Sequence, residues 1–424
     1  MRRPSLDAIR GFDRVVYAVA LGQLINVFGS GIVYPFATVH FHLEVGIALS
    51  VVGLGFLAKN VTTAVATSIG GFLSDRQGRK PVMLASMAGN ALTLSAFAFV
   101  PDLARAVGVL TPGSAFVLVA AASGLTAGLY TPAAQAYTAD ATGDTSRDQA
   151  FSLLKVANNV GFGTGFVVGG LLYQVANVAI FIADGATSGL VAILLLFFVP
   201  KRFDRNEESA GRSTLATWRG AITDRRVLHL ALLNLGFAVL YAQMRTTIPV
   251  VAEERVGLDS AQLGTLFVLN PLTLVLLQIP VVDAISAWRR TRGLVLSATF
   301  WALSMVAVWL VYLSAPAFLL GVLLVGGHLV LRTVGEVLHS PLVTSLMSTL
   351  GTVEERGSQL SVLEVAKRLG FGVGSFVGGL FFDYGVSNLL WPTLGLLALA
   401  LLVGVLALER HLTPAENGAL TAGA

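Results

Sequence analysis

The chain has 424 residues, 55% of them hydrophobic and only 12% charged, with 28 Lys and Arg against 24 Asp and Glu. Soluble domains carry about 25% charged residues, so this composition excludes an ordinary soluble fold and points to a membrane protein with many spans. The absence of cysteine excludes disulfides and thiolate metal sites, and the net charge of +4 lies in connectors between apolar runs, where it sets topology and does not recruit nucleic acid.

Residues up to Arg14 are charged and lack the apolar core of a cleavable signal. Six apolar runs follow, at 14–37, 47–70, 81–100, 113–139, 149–175 and 178–199. Each approaches or exceeds the ~20 residues a helix needs to cross a bilayer. His40 and His42, between the first two runs, have no third ligand at metal spacing and are expected as solvated loop residues, so no metal site is predicted. Between the second and third runs stands Gly71-Phe72-Leu73-Ser74-Asp75-Arg76-Gln77-Gly78-Arg79-Lys80. A connector this short makes the flanking helices antiparallel neighbours, and Arg76, Arg79 and Lys80 mark its side as cytoplasmic. The stretch 201–226 holds seven cations, Lys201, Arg202, Arg205, Arg212, Arg219, Arg225 and Arg226. Six further runs come after it, at 227–250, 260–282, 293–313, 316–347, 359–384 and 388–408.

The expected fold is all-α, with twelve transmembrane helices in two six-helix bundles. The bundles cover 1–200 and 227–410, joined by a cytoplasmic linker at 201–226 and followed by a cytoplasmic tail at 411–424. Connectors on the outer side carry only Arg105 and Arg255, so both termini are expected in the cytoplasm.

The halves repeat. FSLLKVANNVGFGTGFVVGGLLYQ from Phe151 and LSVLEVAKRLGFGVGSFVGGLFFD from Leu360 match at half of 24 positions, 209 residues apart. The same offset pairs Arg147 with Arg356 and Pro132 with Pro341. Gly161, Gly163 and Gly165 do not have dinucleotide-binding spacing and no P-loop is present. These glycines are expected to let helices 5 and 11 approach their neighbours closely, and neither a cofactor nor an enzymatic activity is predicted.

The loop pattern G-x-L-x-D-R-x-G-R-K, together with the repeat, resembles the major facilitator superfamily. That resemblance implies two pseudo-symmetric bundles working by alternating access, with helices 1, 4, 7 and 10 lining a central cavity. It gives Gly71, Asp75, Arg76, Gly78, Arg79 and Lys80 a gating role. Asp75 would meet the start of helix 11 around 359–363, and Arg79 would pair with Asp140. The glycine-rich helix 5 is similar to that of twelve-span drug:proton antiporters, with Phe166 where that motif has proline. The mid-membrane arginine usual on helix 4 of that branch is absent from 120–124.

Polar residues inside apolar runs cost ~2.5–3.5 kcal/mol each when charged, so they demand partners or water. On helix 10, His328, Arg332, Glu336 and His339 recur at helical spacing, and Arg332 and Glu336 are one turn apart. Glu336 is the candidate proton-coupling group, with Arg332 as its modulator and the two histidines as relays. Gln23, Asn26, Ser30 and Tyr34 form a stripe on helix 1, Thr126, Tyr130 and Tyr137 on helix 4, and Asn234, Tyr241 and Arg245 on helix 7. All but Tyr137 are candidate substrate contacts, and each taken singly also fits interhelical glue. Asp184 is expected near water at the outer end of helix 6, and Glu364, Lys367 and Arg368 at the inner end of helix 11. The function implied is proton-coupled export of small amphiphilic molecules by a monomer in the plasma membrane. Metabolite uptake, facilitated diffusion or lipid movement by the same fold are the alternatives, and a non-transporting sensor would need a signalling domain.

Overall fold

The computed structural model describes residues 14–141, 147–199, 223–351 and 355–418, most of them helical and none in a strand. In chain order the long helices are α1 Arg14–Val33, α2 Leu49–Gln77, α3 Arg79–Ala96, α4 Pro112–Ala141, α5 Arg147–Val175 and α6 Ala179–Phe198. After the linker come α7 Arg225–Thr246, α8 in two segments (Ser260–Phe267 and Leu269–Ala284), α9 Arg290–Ser314, α10 Phe318–Met347, α11 Arg356–Asp383 and α12 Ser387–Glu409. Among the described residues, eleven helices are long and apolar enough to cross a membrane, and α5 is not one of them. Its 29 residues carry Lys155, Asn158, Asn159 and Thr164, while its repeat partner α11 is within that set.

The chain divides into two compact units. Unit 1 comprises Met1–Ile47, Ala58–Ala210 and Ser260–Val268, and unit 2 comprises Ala48–Leu57, Gly211–Asp259 and Leu269–Ala424. In unit 1, α1 packs on α5 and α6, and α3 on α4 and α6. Unit 2 repeats this plan, with α7 on α11 and α12, and α9 on α10 and α12.

Glycine strips explain the closest pairs. Gly161, Gly165 and Gly169 on α5 lie against the carbonyls of Leu24, Phe28 and Ile32 on α1. At the same register of unit 2, Gly370 and Gly374 on α11 meet the carbonyls of Leu235 and Val239 on α7, and Gly378 meets the Gln243 side chain. A side chain at these sites would collide, so the sequence repeat is a record of two equivalent backbone contacts. Amides then bridge the pairs: Gln23 Nε2 donates to Asn158 Oδ1 at 3.2 Å in unit 1, and Gln243 Nε2 to the Gly374 carbonyl at 3.0 Å in unit 2.

The connector between α2 and α3 is a single residue, Gly78, at φ 91°. L residues avoid that conformation, which accounts for the second glycine of the loop pattern. Lys80 Nζ donates to the Leu196 carbonyl at 2.8 Å, placing a cation on the negative end of α6.

Past Pro35 the chain continues as Phe36–Val39 and a π turn at His40–Glu44, which corrects the expectation of a solvated loop. His40 is 5% exposed, stacks near Phe41 and Phe181, and lies 3.0 Å from Glu44. Glu44 in turn accepts from Tyr173 Oη at 2.7 Å and from Asn177. The apolar ring cluster draws the imidazole in, and the carboxylate satisfies it there. Asp184, expected near water, is buried on α6.

The tail is part of unit 2. Asn417 Oδ1 accepts from the Thr291 backbone N–H at 3.0 Å while its Nδ2 donates to Thr291 Oγ1 at 2.9 Å, capping the start of α9. Glu416 accepts from Arg226 of α7 at 2.7 Å, and its carbonyl accepts from Arg290 and from Thr349.

Candidate functional site

A set of buried polar groups lies in unit 2, on α10 and its neighbours. Arg332 is 3% exposed, and its Nη2 donates to Glu336 Oε2 at 3.2 Å, as the one-turn spacing anticipates. Two aromatic faces hold the guanidinium: Tyr241 of α7 at 5.3 Å and Trp301 of α9 at 5.1 Å from their ring centres. Its Nη1 reaches Met244 Sδ at 2.8 Å, and its Nε has no hydrogen-bond partner. A buried cation with soft π and thioether neighbours and a single carboxylate is under-satisfied, and it therefore depends on Glu336.

Trp301 can lie over α10 because residue 335 is glycine: a Cβ there would meet the indole at 2.7 Å. Beneath it, Ser297 Oγ donates to the Gly335 carbonyl at 2.7 Å and locks α9 to α10. Glu336 is 23% exposed at its side chain, so it reaches a less enclosed space than Arg332. A second donor reaches the same carboxylate oxygen: Asn270 of α8, whose Nδ2 is 3.4 Å from Glu336 Oε2 and 2.8 Å from Thr333 Oγ1.

The histidines do not join this pair. His328 Nδ1 lies 2.9 Å from the Ser304 carbonyl, and His339 stacks at 4.3 Å on Phe237. Neither has a hydrogen bond to Glu336, and the Nε2 of each is buried without a partner.

Other candidates sort by what they touch. Asn234 donates to the Leu363 carbonyl at 2.9 Å and is interhelical glue between α7 and α11. Ser30 Oγ returns to the Asn26 carbonyl, and Tyr34 packs edge-on against Phe162. Thr126 bonds Asn90 and Thr93 on α3. The Tyr130 hydroxyl is buried with no partner, and Tyr137 is fully enclosed. Arg245 stacks over Phe56 at 4.1 Å, and both belong to unit 2. In the loop motif Arg79 Nη1 donates to Asp75 Oδ1 at 2.6 Å and to Ser74, and the Asp140 side chain lies outside the described residues. Glu364 and Arg368 pair at 3.0 Å on α11.

Sequence reasoning missed Asn270, Trp301 and Met244. Asn270 carried a signal, a lone amide next to Pro271 inside an apolar run, whereas nothing in the sequence marks Trp301 or Met244 as neighbours of a cation.

Residues 19–350 match the family model described as Major Facilitator Superfamily. The chain belongs to that superfamily. Similar proteins include the uncharacterized MFS-type transporter YttB of Bacillus subtilis, 23% identical over 92% of this chain and 94% of that one. The multidrug resistance protein MdtH of Photorhabdus laumondii is 26% identical over 90% and 91% of the two chains. A Na(+), Li(+), K(+)/H(+) antiporter of Planococcus maritimus is 24% identical over 58% of this chain and 60% of its own. Among solved structures, the nucleoside transporter NupG superposes with a TM-score of 0.76 at 13% identity, covering 93% of this chain and 99% of its own. At that identity the likeness is one of fold. This superfamily member is a membrane transporter and not an enzyme.

Proposed function

We propose that the protein is a proton-coupled secondary transporter that exports small amphiphilic molecules, and that Glu336 carries the coupling proton. The observation that carries this reading is the Arg332–Glu336 pair, a nearly closed cation bound to a carboxylate that is itself partly accessible. When Arg332 is drawn toward another acceptor, the apolar surroundings favour the neutral carboxyl, and a proton is taken up and later released. Tyr241, Arg245, Asn26 and Tyr130 are the proposed substrate contacts, with Gln23, Ser30, Tyr34, Thr126 and Asn234 supporting the same helices. The motif residues Asp75 and Arg79 are proposed to control turnover at the cytoplasmic side, with both termini cytoplasmic in the plasma membrane and a monomer as the working form. The names of two relatives, a multidrug resistance protein and a cation/proton antiporter, favour export against a counter-moving cation.

Proteoliposomes loaded with ethidium and given an imposed pH gradient test this. Glu336→Gln keeps size and most hydrogen bonds but cannot ionise. It is expected to insert and to exchange dye at equilibrium while losing accumulation driven by the gradient. Normal accumulation by this variant removes Glu336 from the mechanism and leaves the pair as structure.

A further inference from the structure

Helix α8 is broken. Its first segment ends at Phe267, Val268 forms a turn back to the Thr265 carbonyl at 3.2 Å, and the second segment starts at Leu269. Pro271 supplies the cause, because it has no N–H to give the carbonyl four residues earlier. Asn270 therefore sits in the first turn after this break.

Its hydrogen bonds fix which way the amide faces. Thr333 Oγ1 donates its one proton to the Leu329 carbonyl at 2.6 Å, so toward Asn270 it is an acceptor. The group at 2.8 Å from Thr333 is accordingly the NH2, whose second hydrogen is directed to Glu336 Oε2. That oxygen receives two donors, Arg332 from its own helix and Asn270 from α8.

We propose that Asn270 is a positioning residue for proton coupling: bending of α8 at Val268 adds or withdraws a donor from Glu336 and so links helix movement to the charge of the carboxylate. The proposal rests on Glu336 being the coupling group. A donor to the charged form of an acid favours that form, and its withdrawal favours proton uptake. Among the described residues the charged partner of Glu336 is Arg332 on α10, and Tyr241 of α7 lies over that guanidinium. His328 and His339 occupy α10 on either side, held by the Ser304 carbonyl and the Phe237 ring. Helix α9 brings the neutral Trp301 and Ser297, which leaves Asn270 as the contribution of α8.

The test reads protonation directly and needs no known substrate. Infrared difference spectra of the purified full chain across a pH titration contain the carboxyl band of Glu336, assigned by its loss in Glu336→Gln. In Asn270→Ala the midpoint of that band is expected to move to higher pH by a few tenths to about one unit. Asn270→Ser, which keeps one donor, should recover part of the shift. Should Asn270→Ala not be recovered folded, Thr333→Val carries the test, since it frees the amide to turn and should give a smaller shift of the same sign. A band that titrates but stays in place in these variants overturns the role of Asn270 alone. A wild-type protein without a titrating Glu336 band overturns the coupling assignment, and this proposal with it.

Discussion

The α3–α4 pair of unit 1 and the α9–α10 pair of unit 2 are built on the same bond and put to different uses. Ser86 Oγ donates to the Thr126 carbonyl at 2.6 Å, and Ser297 Oγ to the Gly335 carbonyl at 2.7 Å, with Thr126 and Gly335 separated by the repeat offset of 209. In unit 1 the space between the helices comes from Gly89, which admits Thr126, and the pocket is filled by neutral amide and hydroxyl groups of Asn90, Thr93 and Thr126. In unit 2 the small residue has moved to α10 as Gly335, and Trp301 occupies the room. The positions equivalent to Arg332 and Glu336 in unit 1 are Ser123 and Ala127. At these equivalent positions unit 2 carries a charge pair with an aromatic wall, and unit 1 carries small neutral residues.

The largest expected effect follows from that exchange. Arg332→Ser leaves Glu336 without its cation, and breaking one side of a buried pair costs about 3–5 kcal/mol. Arg332→Ser with Glu336→Ala installs the residues unit 1 already uses. The double variant should regain much of the lost thermal stability in detergent while remaining unable to couple. Should the double variant be as unstable as the single one, the pair is not an isolated insertion into a common scaffold, and the comparison of the units at this level fails.

The glycine strips offer the opposite expectation, that the two units respond alike. Gly165 and Gly374 hold equivalent positions, and a Cβ would come within 2.5 Å of the Phe28 carbonyl and 2.7 Å of the Val239 carbonyl respectively. Overpacking of that kind costs about 1–3 kcal/mol, because backbone cannot yield as a side chain can. Gly165→Ala and Gly374→Ala should therefore lower the unfolding temperature by similar amounts. A much milder effect at one of them would show that only one helix pair is closely apposed in the membrane.

These contrasts also mark what could be read from the residues alone. The repeat, the strips and Gly78 were legible because a glycine placed against backbone has no substitute, so sequence records the contact. The Arg332–Glu336 pair was legible because its geometry is local to one helix. Asn270, Trp301 and Met244 come from other helices, and their approach depends on packing angles that composition does not encode. His40 was misread for a related reason. The π turn at His40–Glu44 continues α1 where the sequence suggests a loop, and the rings that bury it include Tyr173 and Phe181, far along the chain. Glu416 and Asn417 looked like a polar tail because their partners, Arg226, Arg290 and Thr291, belong to the starts of other helices.

The smallest expected effect concerns that tail and sharpens the comparison by pH. Burial alone would raise the Glu416 carboxyl, but hydrogen bonds from Thr413 and the charge and hydrogen bond of Arg226 outweigh it and hold the group below its ordinary range. Burial likewise opposes the shift at Asp224, and the hydrogen bonds and charge of Arg226 prevail there too. For acids lowered on folding, the stabilisation is present above the ordinary carboxylate range and is lost as pH falls through the folded values. Both carboxylates hold Arg226 at the start of α7, and the tail segment that Glu416 anchors there caps α9 through Asn417. Acidification should therefore loosen the N-terminal ends of α7 and α9 before it affects α1 and α3. Because these groups are partly exposed, the expected size is at most about 1 kcal/mol. Hydrogen exchange of the α7 and α9 amides, compared with those of α3 at neutral and acid pH, measures it. Glu416→Gln should produce part of the loosening already at neutral pH and reduce what acid adds. Equal acid response in α3 and α9, unchanged by Glu416→Gln, would mean that the tail contributes nothing specific to unit 2 and that the Glu416 bonds are surface pairs without consequence.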